Sequence, residues 1–438
     1  MQQCEWRSCP VFLLLRSPES SAGHYIGSGS NRMHINELPV ELLSEVFDDA
    51  TDKNYLTPNQ LTPFLFSFRR KFAPLNLIHV CQHWRMVAFS TPTLWTSLNV
   101  AQHKPSKSSV LAMAYWLQCS RNAPLHFLIS SWNDASDPSF DRQYARKMLR
   151  ILSIHLSRWR YVTIEAGNEL AGDLVEVLND AAEHPPPLEG LEINFGYDHD
   201  DIAQQSVVDE FASSIYNLKT LRRLYWINAW GHGLPNLPWD QYETIFIKSS
   251  FTPEDSLRVL TQCTSAKSVT IRRFQLSNHC LTPFNQPHTS LTSLTSLTLD
   301  ECSDPLPLLS CFTIPSLLHL EMSLNQREFH LLEEFLKRSN CPLQVLIVAD
   351  TTLAVDGIAS FFKFPWLKSI SNVKLAPTYS DKEMQKFLKN LETSYEKLPP
   401  LVVWMEMFAH WPVFIGWKES GLQGALYALE AGKLTTVG

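Results

Sequence analysis

The chain has no C-x-x-C pair, no N-x-[ST] acceptor, no glycine-rich phosphate turn and no long apolar run, and each absence excludes a class of protein. Its nine cysteines, from Cys4 to Cys341, are odd in number and scattered. They read as reduced thiols of the cytoplasm or nucleus and not as a disulfide framework. Val11-Phe12-Leu13-Leu14-Leu15 is the only apolar run near the N-terminus, too short for a spanning helix or a signal-peptide core. No other segment reaches membrane length, so no membrane association is expected. Walker, kinase and Rossmann phrases are missing, and Gly27-Ser28-Gly29-Ser30 is not a G-x-S-x-G elbow. No catalytic residue and no cofactor are therefore expected.

Charge excludes a further class. Net charge is −7 with a pI near 6.1, and Arg69-Arg70-Lys71 is the only dense basic run, so no nucleic-acid footprint is present. The 438 residues are 45% hydrophobic, too many for one ordinary core, which calls for two or more domains or one elongated array.

Residues 1–33, rich in Ser and Gly after residue 16, read as a flexible leader. Pro39 suits a first helical position, and Leu42, Leu43, Val46 and Phe47 then share one helix face to about Asp48. Residues 49–74, with three prolines and four phenylalanines, read as an inserted loop. A second helix is expected from Leu75 to about Phe89, with Leu77, Ile78, Cys81 and Trp84 at helical spacing. It stops at Ser90-Thr91-Pro92 because a residue preceding proline avoids the helical region. The whole phrase, Leu38-Pro39 … Val80-Cys81-Gln82-His83-Trp84-Arg85 … Thr91-Pro92-Thr93-Leu94-Trp95, resembles the F-box of proteins abundant in mushroom-forming fungi. The resemblance covers residues 34–100. It implies docking to a Skp-type adaptor, and through it to a cullin–RING ubiquitin ligase, by Leu38, Pro39, Leu42, Leu43, Val80, Trp84, Leu94 and Trp95. It also implies that Val46, Cys81 and Trp84 lean into the helical bundle.

From 101 to 395 a phrase L-x-x-L-x-L recurs, each copy able to form one short strand. It starts at Trp159, Leu188, Leu221, Ala266, Leu294, Leu317 and Leu343, at spacings of 29, 33, 45, 28, 23 and 26 residues. Leu367 with Ile370 suggests one more copy. Helical patterns lie between copies, as in Leu170–Leu178 and Phe329–Leu336. Such units resemble degenerate leucine-rich repeats, and the expected fold is an α/β solenoid following a small helical F-box-like unit. A closed α/β sheet with crossover helices is the competing arrangement. Against it, the strands lack continuous Val/Ile runs and no glycine-rich turn follows them. Residues 396–438, with a helix-like Leu422–Leu429, read as a cap or a tail.

His79 and His83, four apart, would share a helix face, but Val80 stands where a zinc protease needs glutamate, and Asp198-His199-Asp200-Asp201 reads as a solvated loop. No metal site is expected. Cys81 is expected to face the bundle, where thiols are inert, and Arg85 to make a local ion pair. Tyr225, Trp226, Trp230, His232 and Trp366 fall in or after strand phrases, where a partner surface would lie. The competing reading is that they fill the core. Taken together, the chain reads as a substrate-recognition subunit of a Skp–cullin–F-box type ligase, holding an unknown target protein on its repeats. The alternative is a repeat scaffold with no link to ubiquitination.

Overall fold

The computed structural model describes residues 35–50, 73–99, 107–130, 142–165, 168–181, 183, 185–195, 205–228, 234–274, 288–300, 305–323, 329–351 and 364–377, together with the strands of residues 402–437. The leader, most of the insert, Trp230, His232 and Asp198–Asp201 lie outside them. The chain is α/β, and it divides into two compact units, Met1–Leu221 and Arg222–Gly438.

In the first unit, helices α1 (Val40–Ala50) and α2 (Gln82–Ser90) precede a short strand, β1 (Ser97–Asn99). There follow α3 (Lys107–Cys119), β2 (Leu125–Ser130), α4 (Arg142–Ser153), β3 (Trp159–Glu165), α5 (Asn168–Asp180), β4 (Gly190–Asn194) and α6 (Gln205–Ile215). β1 to β4 pair in parallel, each with the next in sequence. Helices α3 to α6 likewise pack in sequence order.

The second unit continues the alternation with β5 (Arg223–Asn228), β6 (Thr244–Phe251), α7 (Pro253–Gln262), β7 (Ser268–Phe274), β8 (Thr289–Ser290) and β9 (Ser296–Asp300). Next come a single helical turn α8 (Leu306–Leu309), β10 (Phe312–Thr313), β11 (His319–Ser323), α9 (Phe329–Ser339), β12 (Val345–Thr351) and β13 (Asn372–Pro377). Its long sheet runs β5-β6-β7-β9-β11-β12-β13 in parallel, while β8 and β10 form a separate two-stranded pair. β14 (Val402–Met407) adds one more parallel strand, and β15 (Trp411–Gly416), β16 (Leu426–Glu430) and β17 (Lys433–Val437) follow as an antiparallel meander. Of the helix-like Leu422–Leu429, the described part Leu426–Leu429 is strand: pairing with β15 and β17 satisfies its backbone, which an eight-residue helical pattern cannot outweigh.

Every strand phrase places its apolar residues on one face. Val162 and Ile164, Leu191 and Ile193, Leu224 and Trp226, Val269 and Ile271, Leu297 and Leu299, Leu320 and Met322, and Leu346 and Val348 are all buried. Their neighbours on the other face, such as Tyr161, Glu192, Lys248, Thr270, Arg272 and Glu321, are half-buried and mostly polar. A sheet covered by helices on both faces would show apolar residues on both. These strands alternate because one face is packed more closely than the other, where Tyr225, Ile227 and Phe246 are buried among mostly polar neighbours. Each fully buried Leu or Ile contributes about 1.5–3 kcal/mol relative to exposure.

The phrase's first position lies before each strand, or at its first residue in β3, and is buried as well. Trp159, Leu188, Leu221, Ala266, Leu294 and Leu317 are all within 1% of full burial. β6 and β13 begin the same way, at Tyr242-x-x-Ile245-x-Ile247 and Ile370-x-x-Val373-x-Leu375. Tyr242 splits the anomalous 45-residue gap into spacings of 21 and 24, in line with the rest. The extra copy suggested at Leu367 thus starts three residues later, at Ile370.

One hydrogen-bond motif recurs at the strand starts of the second unit. The Arg222 carbonyl accepts from the successive N–H groups of Glu243 and Thr244 at 2.7 and 3.1 Å, and the Glu243 carbonyl accepts from Lys267 and Ser268 at 2.8 and 3.1 Å. Lys267, Thr295 and Leu318 repeat it toward the following strands. Such a shared acceptor locks each strand in register with its predecessor, and a slip by one residue would turn its apolar row outward. α7 opens with a reciprocal cap: Asp255 N–H donates to the Thr252 hydroxyl at 3.2 Å, Thr252 N–H donates to the Asp255 carboxylate, and Pro253 occupies the first turn.

The two faces differ in cost on substitution. Ile247→Ala is expected to lose about 2–5 kcal/mol in urea unfolding, and Thr270→Ala, on the opposite face, to stay within about 0.5 kcal/mol. Equal losses would contradict the unequal packing of the two faces.

Candidate functional site

Helix α1 carries two apolar stripes, each of i, i+4 residues. Leu43 and Phe47 are 0% and 1% exposed and form the inner stripe. Leu42 and Val46, one position earlier in each turn, are 47% and 43% exposed. Successive residues differ by about 100° around a helix, so the outer stripe flanks the inner one and continues the same apolar arc outward. Val46, expected inside, is at the surface for this reason: α1 is narrower in its contacts than in its apolar sector. Ile35, Val40, Val80 and Met86 are exposed too, so among the described residues six of the nine exposed large apolar side chains belong to residues 35–86. Isolated exposed apolar residues need no explanation, but such a concentration in one short segment does.

The second helix differs from expectation. Pro74 to Val80 forms turns with a 3-10 segment at Leu77–His79, and α2 begins only at Gln82. Cys81 is its N-cap, in extended backbone and half-buried, and its Sγ accepts the Trp84 N–H at 3.4 Å. The thiol therefore caps the helix instead of facing the bundle. His79 and His83 lie on different elements, not on one helical face, and among the described residues no three His, Cys, Asp or Glu side chains converge as metal ligands do. Arg85 Nε donates to the Ile78 carbonyl at 2.8 Å, tying α2 back to the preceding turn.

Trp84 joins the pieces of this segment. Its ring lies 4.9 Å from Phe47, and its indole N–H donates to Asn36 Oδ1 at 2.7 Å. Thr93 donates to the Asp48 carboxylate at 2.9 Å, fixing the far end of α1. Of the eight residues that the F-box resemblance singles out, Leu38 and Trp84 are half-buried and Pro39, Leu42 and Val80 are exposed. Leu43, Leu94 and Trp95 are buried, so in this conformation they serve the interior and not a partner. Apolar periodicity marks a sector of the helix and cannot divide it between core and surface.

Trp95 is also the first position of a strand phrase, Trp95-x-x-Leu98, and it belongs to both the helical segment and the sheet. It stacks on Phe89 at 5.5 Å, meets Trp116 of α3 edge-on at 5.0 Å, and its indole N–H donates to the Ala88 carbonyl at 2.8 Å. Tyr115 closes on Phe89 at 5.9 Å. This aromatic joint leaves the helical segment and the first strands sharing one core.

The second candidate surface is the sheet face away from the buried rows. Tyr225 lies on it but is 4% exposed, stacked on Phe246 at 5.3 Å. Trp226, one residue on, points to the opposite face and is fully buried, so it is core and not a contact residue. Trp239 is buried as well, and Trp366 is half-buried in the 3-10 turn Pro365–Ser369. Two-residue periodicity was the available signal for separating Tyr225 from Trp226.

In the first unit the same face is acidic. His126, Tyr161, Thr163, Glu165 and Glu192 fall on it, with His126 edge-on to Tyr161 at 5.0 Å. Burial pushes the Glu192 carboxyl up to about 7; the Thr163 hydroxyl, donating at 3.3 Å, opposes this, and the like charge of Glu165 adds to it. Among the described residues of β2 to β4 this face carries no Lys or Arg.

No protein-family model matches the chain, and no curated protein shows significant similarity to it.

Glu192 has a folded pKa above its unfolded one, so the folded state holds the extra proton between about pH 4.5 and 7, and stability falls as pH rises through that window. Glu192→Gln removes the penalty. It is expected to raise unfolding stability on the order of 1–3 kcal/mol at about pH 8 and to have little effect near pH 4. An equal gain at both pH values would show that charge is not the cause.

Proposed function

We propose that the chain is a non-catalytic substrate-recognition subunit of a Skp–cullin–F-box type ubiquitin ligase, working in the cytoplasm or nucleus. In this reading residues 34–100 are an F-box-like unit that docks a Skp-type adaptor, and the strand–helix units beyond it are a leucine-rich-repeat-like solenoid that holds a target protein. The observation that carries it is the outer stripe of α1. Leu42 and Val46, with Val40, Ile35 and Val80, leave apolar surface uncovered in the segment whose sequence resembles an F-box. Within that resemblance, Leu38, Pro39, Leu42, Val80 and the outer edge of Trp84 are the positions a partner can reach.

The mechanism is proximity. A target and a charged ubiquitin carrier held on one assembly react at a raised effective concentration, and no residue of this chain need take part in the chemistry. The aromatic joint at Trp95 suits that role, because a shared core between helical segment and first strands fixes the direction in which the array leaves the adaptor.

The solenoid reading rests on long-sheet strands that pair in sequence order, with β8 and β10 set apart, on closer burial of one face and on the recurring shared acceptor at the strand starts. A second reading has its own observation. Leu43, Phe47 and Trp95 are buried and Trp95 leads directly into the first strand, so in this reading the helical segment caps the array, as a scaffold without a ligase would require. Capping explains the inner stripe and gives no role to the outer one.

Recovery of a purified Skp-type adaptor by the immobilised chain separates the two. Leu42→Asp/Val46→Asp is expected to weaken recovery at least about tenfold while leaving the melting temperature within a few degrees; Leu111→Asp, exposed on α3, should change neither. Equal recovery by wild type and the double variant removes the docking proposal.

A further inference from the structure

The outer face of α1 carries charge of one sign. Residues 35–50 hold Glu37, Glu41, Glu45, Asp48 and Asp49 and no Lys or Arg. Glu41, Glu45 and Asp49 are exposed and follow one another at intervals of four residues, so they form a column along the helix. At about 100° per residue, a turn around α1 meets the inner stripe of Leu43 and Phe47, then the outer stripe of Leu42 and Val46, then this column. The exposed apolar stripe is thus bordered by the core on one side and by carboxylates on the other.

The described residues leave these charges unanswered. Among them no cation pairs with Glu41, Glu45 or Asp49, whereas Asp48 accepts from the Thr93 hydroxyl at 2.9 Å. Like charges four residues apart on a helix repel, and Asp49 stands in the last turn, where the helix dipole disfavours a negative charge. The segment therefore carries an electrostatic cost that its own contacts do not relieve.

Stripe and column together narrow the occupant. A second copy of the chain brings the same five carboxylates and no cation in its residues 35–50, so charge opposes self-pairing through this face. Anionic lipid and nucleic acid are repelled for the same reason. We propose that the outer face of α1 docks a protein groove that is apolar where it meets Leu42 and Val46 and is bordered by lysine or arginine where it meets Glu41, Glu45 and Asp49. Charge complementarity selects that border, and the apolar stripe supplies the dry centre that a polar rim surrounds. The inference rests on the proposed docking role of α1, and it adds the charge of the partner's contact surface.

Fluorescence anisotropy of the full chain tests it with four labelled helical peptides of equal length. Three share one leucine stripe bordered by Lys, Gln or Glu, and the fourth scrambles the Lys-bordered sequence so that no stripe forms. The Lys-bordered peptide is expected to bind at least about tenfold more tightly than either the Gln-bordered or the scrambled one, and to weaken as salt rises. Glu45→Lys/Asp49→Lys should shift the preference to the Glu-bordered peptide. Cations near the end of a helix suit its dipole, so this variant keeps its fold. Leu42→Ser/Val46→Ser should bring the Lys-bordered peptide down to the level of the scrambled one. Equal binding of the Lys- and Gln-bordered peptides, equal binding of the scrambled one, an unshifted preference in the Lys variant, or full affinity in the Ser variant each overturns the proposal. The adaptor takes no part in this assay. Failure here with adaptor recovery intact removes only the cation-bordered groove, and success here with no adaptor recovery removes only the ligase reading.

Discussion

The constraint on which the structure depends is lateral register between strands that are packed more closely on one face than on the other. An alternating strand tolerates no slip, because moving it by one residue exposes its Leu and Ile row and buries its polar row. At successive strand starts of the second unit one carbonyl takes two N–H groups from the next strand, and the buried residue three positions before the first core residue anchors the same point from below. Register is thus set twice, by backbone pairing and by packing. With register held, each strand shows a predictable row of side chains on its helix-free face, and the chemistry of that face follows from sequence position alone.

The helical segment is tied into the same system through Trp95. A tryptophan that starts a strand phrase and also fills the space between α2 and α3 makes the end of one element the beginning of the other. α1 then divides its apolar arc. Leu43 and Phe47 close the core with Trp84, and Leu42 and Val46 are left at the surface. An apolar face backed by a packed core would lose little conformational freedom on being covered, which is the energetic advantage of preorganisation.

Much of the fold was legible in the sequence, and the misses have a common cause. The L-x-x-L-x-L phrase located β3, β4, β5, β7, β9, β11 and β12. β6 escaped because Tyr242 stands where leucine was sought, and β2 because Asn122 holds the first position. What the core requires there is buried volume, and a tryptophan or tyrosine supplies it. The second helix was read as continuous from Leu75 because apolar spacing does not reveal a break. Cys81 takes an extended, capping conformation that ends one turn and starts another.

The candidate surfaces were legible in part. The residues that the resemblance singles out mix exposed Leu42 with buried Leu43, and exposed Pro39 and Val80 with buried Leu94 and Trp95. Periodicity marks which residues are apolar, while exposure depends on how many neighbours the rest of the chain supplies. Tyr225 and Trp226 illustrate the same point on a strand, where adjacent aromatics go to opposite faces.

Amide hydrogen exchange of the full chain, with and without a Skp-type adaptor, tests the central claim most directly. The account predicts slowed exchange in Leu38–Phe47 and around Val80 on adding adaptor, with the strands of the array unchanged. Protection confined to the array, or no protection anywhere, would contradict it.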